Sequence, residues 1–227
     1  PAAPLPSSRP FYPSPLFSED NGLSLGYRGE VPIQREDLSA SEYQVVERGD
    51  GSLWLLNRAC GGIGESFSYD GGKTWTMMEA SQIVHTVSRF FITRLQSGSL
   101  LLVKHGPIDR DVGRSQLMAF VSDDDGESWE GGLMLDERLK VSYPDGIQTE
   151  DGLIRIIYDY FRHVEKEILM AQFTEDDVRA GTAVSGEARF RMLVNKATGI
   201  NPRHQDEPEG EPGDNQDGEP MLTGSAA

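Results

Sequence analysis

Between residues 40 and 175 the apolar positions fall in short runs, some alternating with polar ones, and X-Gly dipeptides punctuate them. Runs of this length predict strands, and X-Gly between two of them predicts a hairpin, because primed turns need positive φ. The first unit has an apolar strand around Val45 and Val46, an Asp50-Gly51 turn, a strand at 52–57 and a third at 64–68. The second has strands at 90–95, 99–104 and 116–122 with a Ser97-Gly98 turn. The third has strands at 146–148, 153–158 and 167–173 with an Asp151-Gly152 turn. Repetition of a hairpin plus a strand at about 50-residue spacing predicts consecutive propeller blades rather than a sandwich or an α/β sheet. Helical signal is confined to 174–180, a short turn opened by Thr174 with Glu175, Asp176 and Asp177 behind it, the usual N-cap chemistry.

Two units end in one motif. Ser68-Tyr69-Asp70-Gly71-Gly72-Lys73-Thr74-Trp75 and Ser122-Asp123-Asp124-Asp125-Gly126-Glu127-Ser128-Trp129 both read S-x-D-x-G-x-[S/T]-W, the Asp-box. In such a turn the carboxylate accepts backbone and hydroxyl hydrogen bonds, the glycine permits the bend and the tryptophan packs beneath. Asp70 and Asp124 are therefore expected to staple turns, not to catalyse. The third unit has Phe173-Thr174-Glu175-Asp176-Asp177 where a box would start.

The flanks differ from this centre. Residues 1–36 hold Pro1, Pro4, Pro6, Pro10, Pro13, Pro15 and Pro32 without a sustained period and read as a Pro-rich lead or linker, whose Phe11, Tyr12 and Phe17 are free to dock on a core. Residues 37–199 carry the blades. Residues 200–227 are rich in Gly, Pro, Asp and Glu, bury too little to offset ordering entropy, and read as a disordered acidic tail. The 37 Asp+Glu against 21 Lys+Arg, a formal charge of −16, argue against a nucleic-acid partner, which calls for a basic stripe. No run approaches the roughly 18 apolar residues of a membrane span. Cys60, the single cysteine, forms no internal disulfide and no zinc site. The start has neither an initiator Met nor the basic and apolar regions of a signal peptide, so the sequence is read as beginning inside a longer protein.

Four stretches carry a resemblance. They are Glu42 to Glu47 with Asp50 to Arg58; Gly113 to Leu117 running into the second Asp-box; Val141-Ser142-Tyr143-Pro144-Asp145-Gly146 with Ile156 to Asp159; and Glu167 to Ala171 with Arg191 to Lys196. Over roughly 42–198 the chain resembles the sialidase (neuraminidase) superfamily, in its bacterial-type Asp-box (BNR repeat) branch of glycoside hydrolases. The resemblance implies an all-β, six-bladed propeller architecture, of which about three blades are visible here. It also implies a retaining exo-glycosidase acting on sialic acid or a similar glycan, with no cofactor and no metal, and it favours a secreted or periplasmic location.

The chemistry behind that family pattern is specific. A sugar acid carries its carboxylate beside the anomeric carbon and repels an anionic nucleophile, whereas a neutral Tyr avoids this, and sialidases depart from the two-carboxylate rule accordingly. A Tyr needs a neighbouring base to take its proton. The resemblance makes Tyr143 the nucleophile and Glu42 its base, with Arg58 and Arg114 holding the sugar carboxylate through guanidinium forks. Arg110 competes with Arg114, and Arg89 with His85 is a secondary candidate for substrate contact. Each has a plainer alternative: solvated arginines in an acidic protein, a packed strand tyrosine, a strand-edge acid. Pro144-Asp145 follow the tyrosine where many sialidases have a small residue.

The family's remaining arginine and its acid/base aspartate have no counterpart by motif among Arg9, Arg28, Arg35, Asp20 and Asp37. The chain is thus expected to be an incomplete C-terminal portion that joins a missing N-terminal half or a second chain, and to be inactive alone. The alternative function is a non-catalytic carbohydrate-binding or structural Asp-box propeller; a glycosidase for a different sugar is a third.

Overall fold

The computed structural model describes residues 13–34, 38 and 42–199. The chain opens with a small ribbon of β1 (Leu16–Phe17) and β2 (Gly26–Tyr27). The first four-stranded sheet follows, made of β3 (Glu42–Glu47), β4 (Leu53–Ala59), β5 (Gly62–Ser68) and β6 (Glu79–Ala80). The second contains β7 (Phe91–Arg94), β8 (Leu100–His105), β9 (Leu117–Ser122) and β10 (Glu130–Asp136). The third contains β11 (Val141–Gln148), β12 (Ile154–Tyr160), β13 (Glu167–Phe173) and β14 (Arg189–Lys196), with helix α1 (Glu175–Ala180) before its last strand. Each sheet is an antiparallel meander in chain order, and the chain is nearly all β: three blades of a partial sialidase-like propeller. The expected turns are present, with Gly51, Gly98 and Gly152 at φ +81°, +96° and +82°. The pattern of apolar runs left out the fourth strand of every blade.

Blades meet face to face. Val46, Trp54 and Leu56 of the first pack on Phe90, Leu100 and Leu102 of the second, and Leu101, Val103 and Ala119 share a core with Ile154, Ile156 and Tyr158 of the third. Each Val, Leu, Ile or Phe side chain among them contributes about 1.5–3 kcal/mol by leaving water. The two outer faces of the stack differ. Leu55, Ala59 and Met78 of the first blade are covered by Val31 and Leu38, both fully buried. The third blade leaves Ile147, Ile157 and Ile168 open to solvent.

The Asp-boxes behave as expected. Asp70 Oδ1 accepts from Lys73 N (3.0 Å) and Thr74 N (2.9 Å), and its Oδ2 from Thr74 Oγ1 (2.7 Å). Asp124 repeats this with Ser128 N (2.8 Å) and its hydroxyl. Hydrogen bonding from the threonine and serine four residues on holds both carboxyls down to about 2.

One expectation is corrected. Asp20, assigned no motif above, sits in Ser18-Glu19-Asp20-Asn21-Gly22-Leu23-Ser24-Leu25, and its bonds are those of a box. Ser24 N and Oγ donate to its two oxygens at 2.8 and 2.7 Å, Ser18 Oγ donates at 2.8 Å, and Gly22 N donates to Ser18 Oγ at 2.6 Å. The staple links β1 to β2 as the others link β5 to β6 and β9 to β10, so residues 16–27 form the outer half of a further repeat unit. Phe17 lies against Gly72. In the third blade α1 takes the place of the box, and buried Asp177 accepts from Thr174 N and Oγ1 (2.9 Å each), Val184 N (2.6 Å), and Ser185 N and Oγ (2.8 and 2.7 Å). Phe11, Tyr12, Arg9, Arg35, Asp37 and the acidic segment 200–227 lie outside the described residues.

Candidate active site

Glu42 opens β3, and the antiparallel register places it directly across from Arg58 on β4. Arg58 Nη1 donates to Glu42 Oε2 at 3.0 Å and to the Tyr143 hydroxyl at 2.9 Å. One guanidinium nitrogen thus joins the first blade to the third. Desolvation works against the Arg58 charge, but Glu42 and Tyr143 outweigh it and raise its pKa further.

Tyr143 reaches across because β11 carries a bulge between Ser142 and Asp145, where Tyr143 adopts φ +56°. A bulge re-aims side chains, and a left-handed aromatic residue is a strained one. Beneath it, His105 Nε2–H donates to Val141 O (2.9 Å), and its Nδ1 is 3.3 Å from His85 Nε2. Burial lowers both imidazoles, His105 to about 4 and His85 well below its usual value. His85 is 3 % exposed and packs edge-on against Phe90, the packing role that stood beside substrate contact as the alternative for it.

The other candidates surround this group. Arg89 Nη2 donates to Asp145 Oδ2 at 2.7 Å, two residues past the tyrosine. A cleft of about 300 Å³ is lined by Glu42, Tyr43, Gln44, Arg89 and Phe90. Arg114 donates through Nη2 to Val87 O (3.2 Å), and its charge acts on the Asp159 carboxyl. Lys104, fully buried, donates to the carbonyls of His105 (2.6 Å), Gly106 (3.0 Å) and Pro107 (2.6 Å), fixing the root of the loop that carries Arg114. Burial lowers this ammonium to about 8. Arg110 is exposed on the same loop.

Reasoning from motifs missed Ser142, Asp159 and Arg162. Ser142 and Asp159 are cross-strand partners, with Ser142 Oγ donating to Asp159 Oδ1 at 2.8 Å. Arg162 Nη2 donates to Ser142 Oγ at 2.7 Å, and its guanidinium lies 4.4 Å from the centroid of the Tyr143 ring. Burial pushes the Asp159 carboxyl up, against the pull of Ser142 and the nearby arginines. A serine and an aspartate facing each other across a hairpin next to the tyrosine were the available signal. Among the described residues no group of three or more His, Cys, Asp or Glu is placed to hold a metal ion, and no helix is long and apolar enough to cross a membrane.

Comparisons with known proteins agree with this architecture. Residues 12–156 match a family described as BNR repeat-like domain. A comparison with curated proteins finds no match. Among solved structures, the chain is similar to the intramolecular trans-sialidase from Ruminococcus gnavus, determined in complex with oseltamivir carboxylate, at 23 % identity and TM-score 0.56, covering 72 % of this chain and 38 % of that one. It is similar to a leech intramolecular trans-sialidase complexed with 2,7-anhydro-Neu5Ac at 20 % identity and TM-score 0.54, covering 72 % and 27 %. It is also similar to an exo-beta-1,3-galactanase from Phanerochaete chrysosporium at 9 % identity and TM-score 0.51, covering 71 % and 40 %. The chain spans about two fifths or less of the length of these proteins. It belongs to the BNR repeat-like domain family and has the fold of the sialidases in that comparison.

Proposed function

We propose that the chain supplies the nucleophile side of a retaining exo-glycosidase site for a sialic-acid-like sugar. The observation that carries this is the meeting of Tyr143, Arg58 and Glu42 from two blades at a strained bulge. In the resting state Arg58 lies between the acid and the phenol. An incoming sugar carboxylate draws the guanidinium into a two-pronged contact, aided by Arg114 and Arg89, and leaves Glu42 to take the Tyr143 proton. The phenol oxygen then attacks the anomeric carbon as the glycosidic oxygen leaves with a proton from an acid. The conjugate base of that acid then deprotonates a water that attacks the anomeric carbon of the glycosyl-tyrosine, and Tyr143 leaves with the proton returned by Glu42, giving net retention.

A second reading, a carbohydrate-binding or structural propeller without turnover, is favoured by the Arg89–Asp145 pair, which neutralises one of the candidate clamp cations. For the chain alone this reading and the first agree in expecting no release, because no aspartate here has been assigned the acid role.

The test has two arms. Sialic acid binding to the purified chain, followed by saturation-transfer NMR, is expected and should be lost in Arg58→Ala. Release from a fluorogenic sialoside is expected once the chain is joined to a partner that supplies the acid, and should vanish in Tyr143→Phe. Binding that is indifferent to Arg58→Ala, or turnover that survives Tyr143→Phe, rejects the assignment.

A further inference from the structure

Arg162 has no role in the scheme above, yet its guanidinium lies over the ring of Tyr143. It follows the end of β12, and three contacts fix it: Nη2 to Ser142 Oγ at 2.7 Å, Nε to Asp159 Oδ2 at 3.3 Å, and the guanidinium over the Tyr143 ring at 4.4 Å. Ser142 Oγ in turn donates to Asp159 Oδ1. The three residues close a ring around the backbone position just before the tyrosine. A residue held at positive φ persists only where its surroundings over-determine it. Here Arg162 constrains it twice, through the neighbouring serine and through the aromatic face.

The two arginines at Tyr143 are not equivalent. Arg58 meets the hydroxyl, with its guanidinium carbon 6.0 Å from the ring centroid, and the scheme above requires it to turn toward the substrate. Arg162 lies on the ring itself and is tied to Ser142 and Asp159, so it stays when Arg58 moves. A cation on an aromatic face is favourable before reaction, and a cation close to a phenol oxygen favours negative charge there. We propose that Arg162 is a positioning residue for Tyr143, locking the ring in its bulge and stabilising the negative charge that its oxygen gains when the proton leaves. The proposal rests on reading Tyr143 as the nucleophile, but it is tested without turnover.

Tetranitromethane nitrates tyrosine through the phenolate, and peptide mass spectrometry reads each site separately. Tyr69, 72 % exposed, is the internal standard. In Arg162→Met the nitration of Tyr143 relative to Tyr69 is expected to fall about three- to tenfold, a range set below that of an isolated opposite charge because Asp159 shares the arginine and the pair is partly solvated. Arg162→Lys should recover most of the rate. Loss of steric cover alone would act the other way, so an unchanged or faster rate in Arg162→Met overturns the proposal. Asp159→Asn guards against a misfolded Arg162→Met: freeing the arginine charge should speed Tyr143 nitration about threefold, and an unchanged or slower rate counts against it. If sialoside turnover survives Tyr143→Phe while these rates behave as stated, the nucleophile reading fails and the positioning of Tyr143 by Arg162 stands.

Discussion

Two sets of carboxylates in this molecule use the same functional group in opposite ways. Asp20, Asp70 and Asp124 accept from backbone amides and hydroxyls no more than four residues away. Glu42, Asp145 and Asp159 in the cleft bond to side chains 16, 56 and 17 residues away. The first set is held down to about 2, whereas burial pushes Asp159 up. Local satisfaction makes a self-contained turn that can repeat with each blade. Long-range satisfaction makes a site that exists only when whole blades are assembled.

Acid should separate the two regions most widely. His105, about 4 when folded against 6.5 unfolded, contributes stability that is full above pH 6.5 and lost as the pH falls toward 4, on the order of 3 kcal/mol. His85, shifted the same way, adds to it. The staples, with folded values about 2 and an ordinary value of 3.8, keep their contribution down to pH 3.8 and lose it only below. Urea midpoints should therefore drop between pH 6.5 and 4, and less steeply in a His105→Phe variant, where His85 remains; a flat profile in the parent protein would put the weak point elsewhere.

Asp177→Ala comes next. It strips five donors of their acceptor in a buried turn, and about 2–3 kcal/mol should be lost in urea unfolding while sugar binding at the cleft, which Asp177 does not line, is retained. Gly126→Ala should cost about 2 kcal/mol, because the added Cβ would meet the Trp54 ring at 2.4 Å and the residue sits at φ +91°. A Trp54→Leu background should return part of that loss, which would be absent if backbone strain alone were responsible.

The smallest stability change belongs to the cleft. Arg58→Met leaves Glu42 and Tyr143 partly solvated, so unfolding should shift by no more than about 1 kcal/mol. Sugar-acid binding should suffer far more, as calorimetry would show. A large loss of stability from this variant would make Arg58 a structural tie between blades and erase the contrast.

The same contrast decides what could be read in advance. The boxes at Asp70 and Asp124 were legible because each is closed by residues inside eight positions. The box at Asp20 escaped because Leu25 stands where the other two have tryptophan, although the serine, aspartate and glycine that do the bonding are in place. The fourth strands escaped for other reasons: β6 is only two residues long, and much of β14 is exposed and shows no clean alternation. In the cleft, Glu42, Arg58 and Tyr143 emerged from family likeness, and the structure brings them together. Arg162 did not, since its link to Ser142 spans 20 residues and depends on a bulge that no local pattern announces.

The positive φ of Tyr143 also sets a conflict of interest at that position. Glycine would relax the backbone there by roughly 1–2 kcal/mol, offset in part by the ring contacts it forfeits. Random mutagenesis scored only on heat resistance would thus tolerate Gly or Asn at 143 better than at an ordinary strand tyrosine, whereas, on the proposed nucleophile role, a selection for sugar processing by the completed site would discard both. Divergent rankings of the same substitutions under the two selections would identify residue 143 as one kept for chemistry at the expense of robustness.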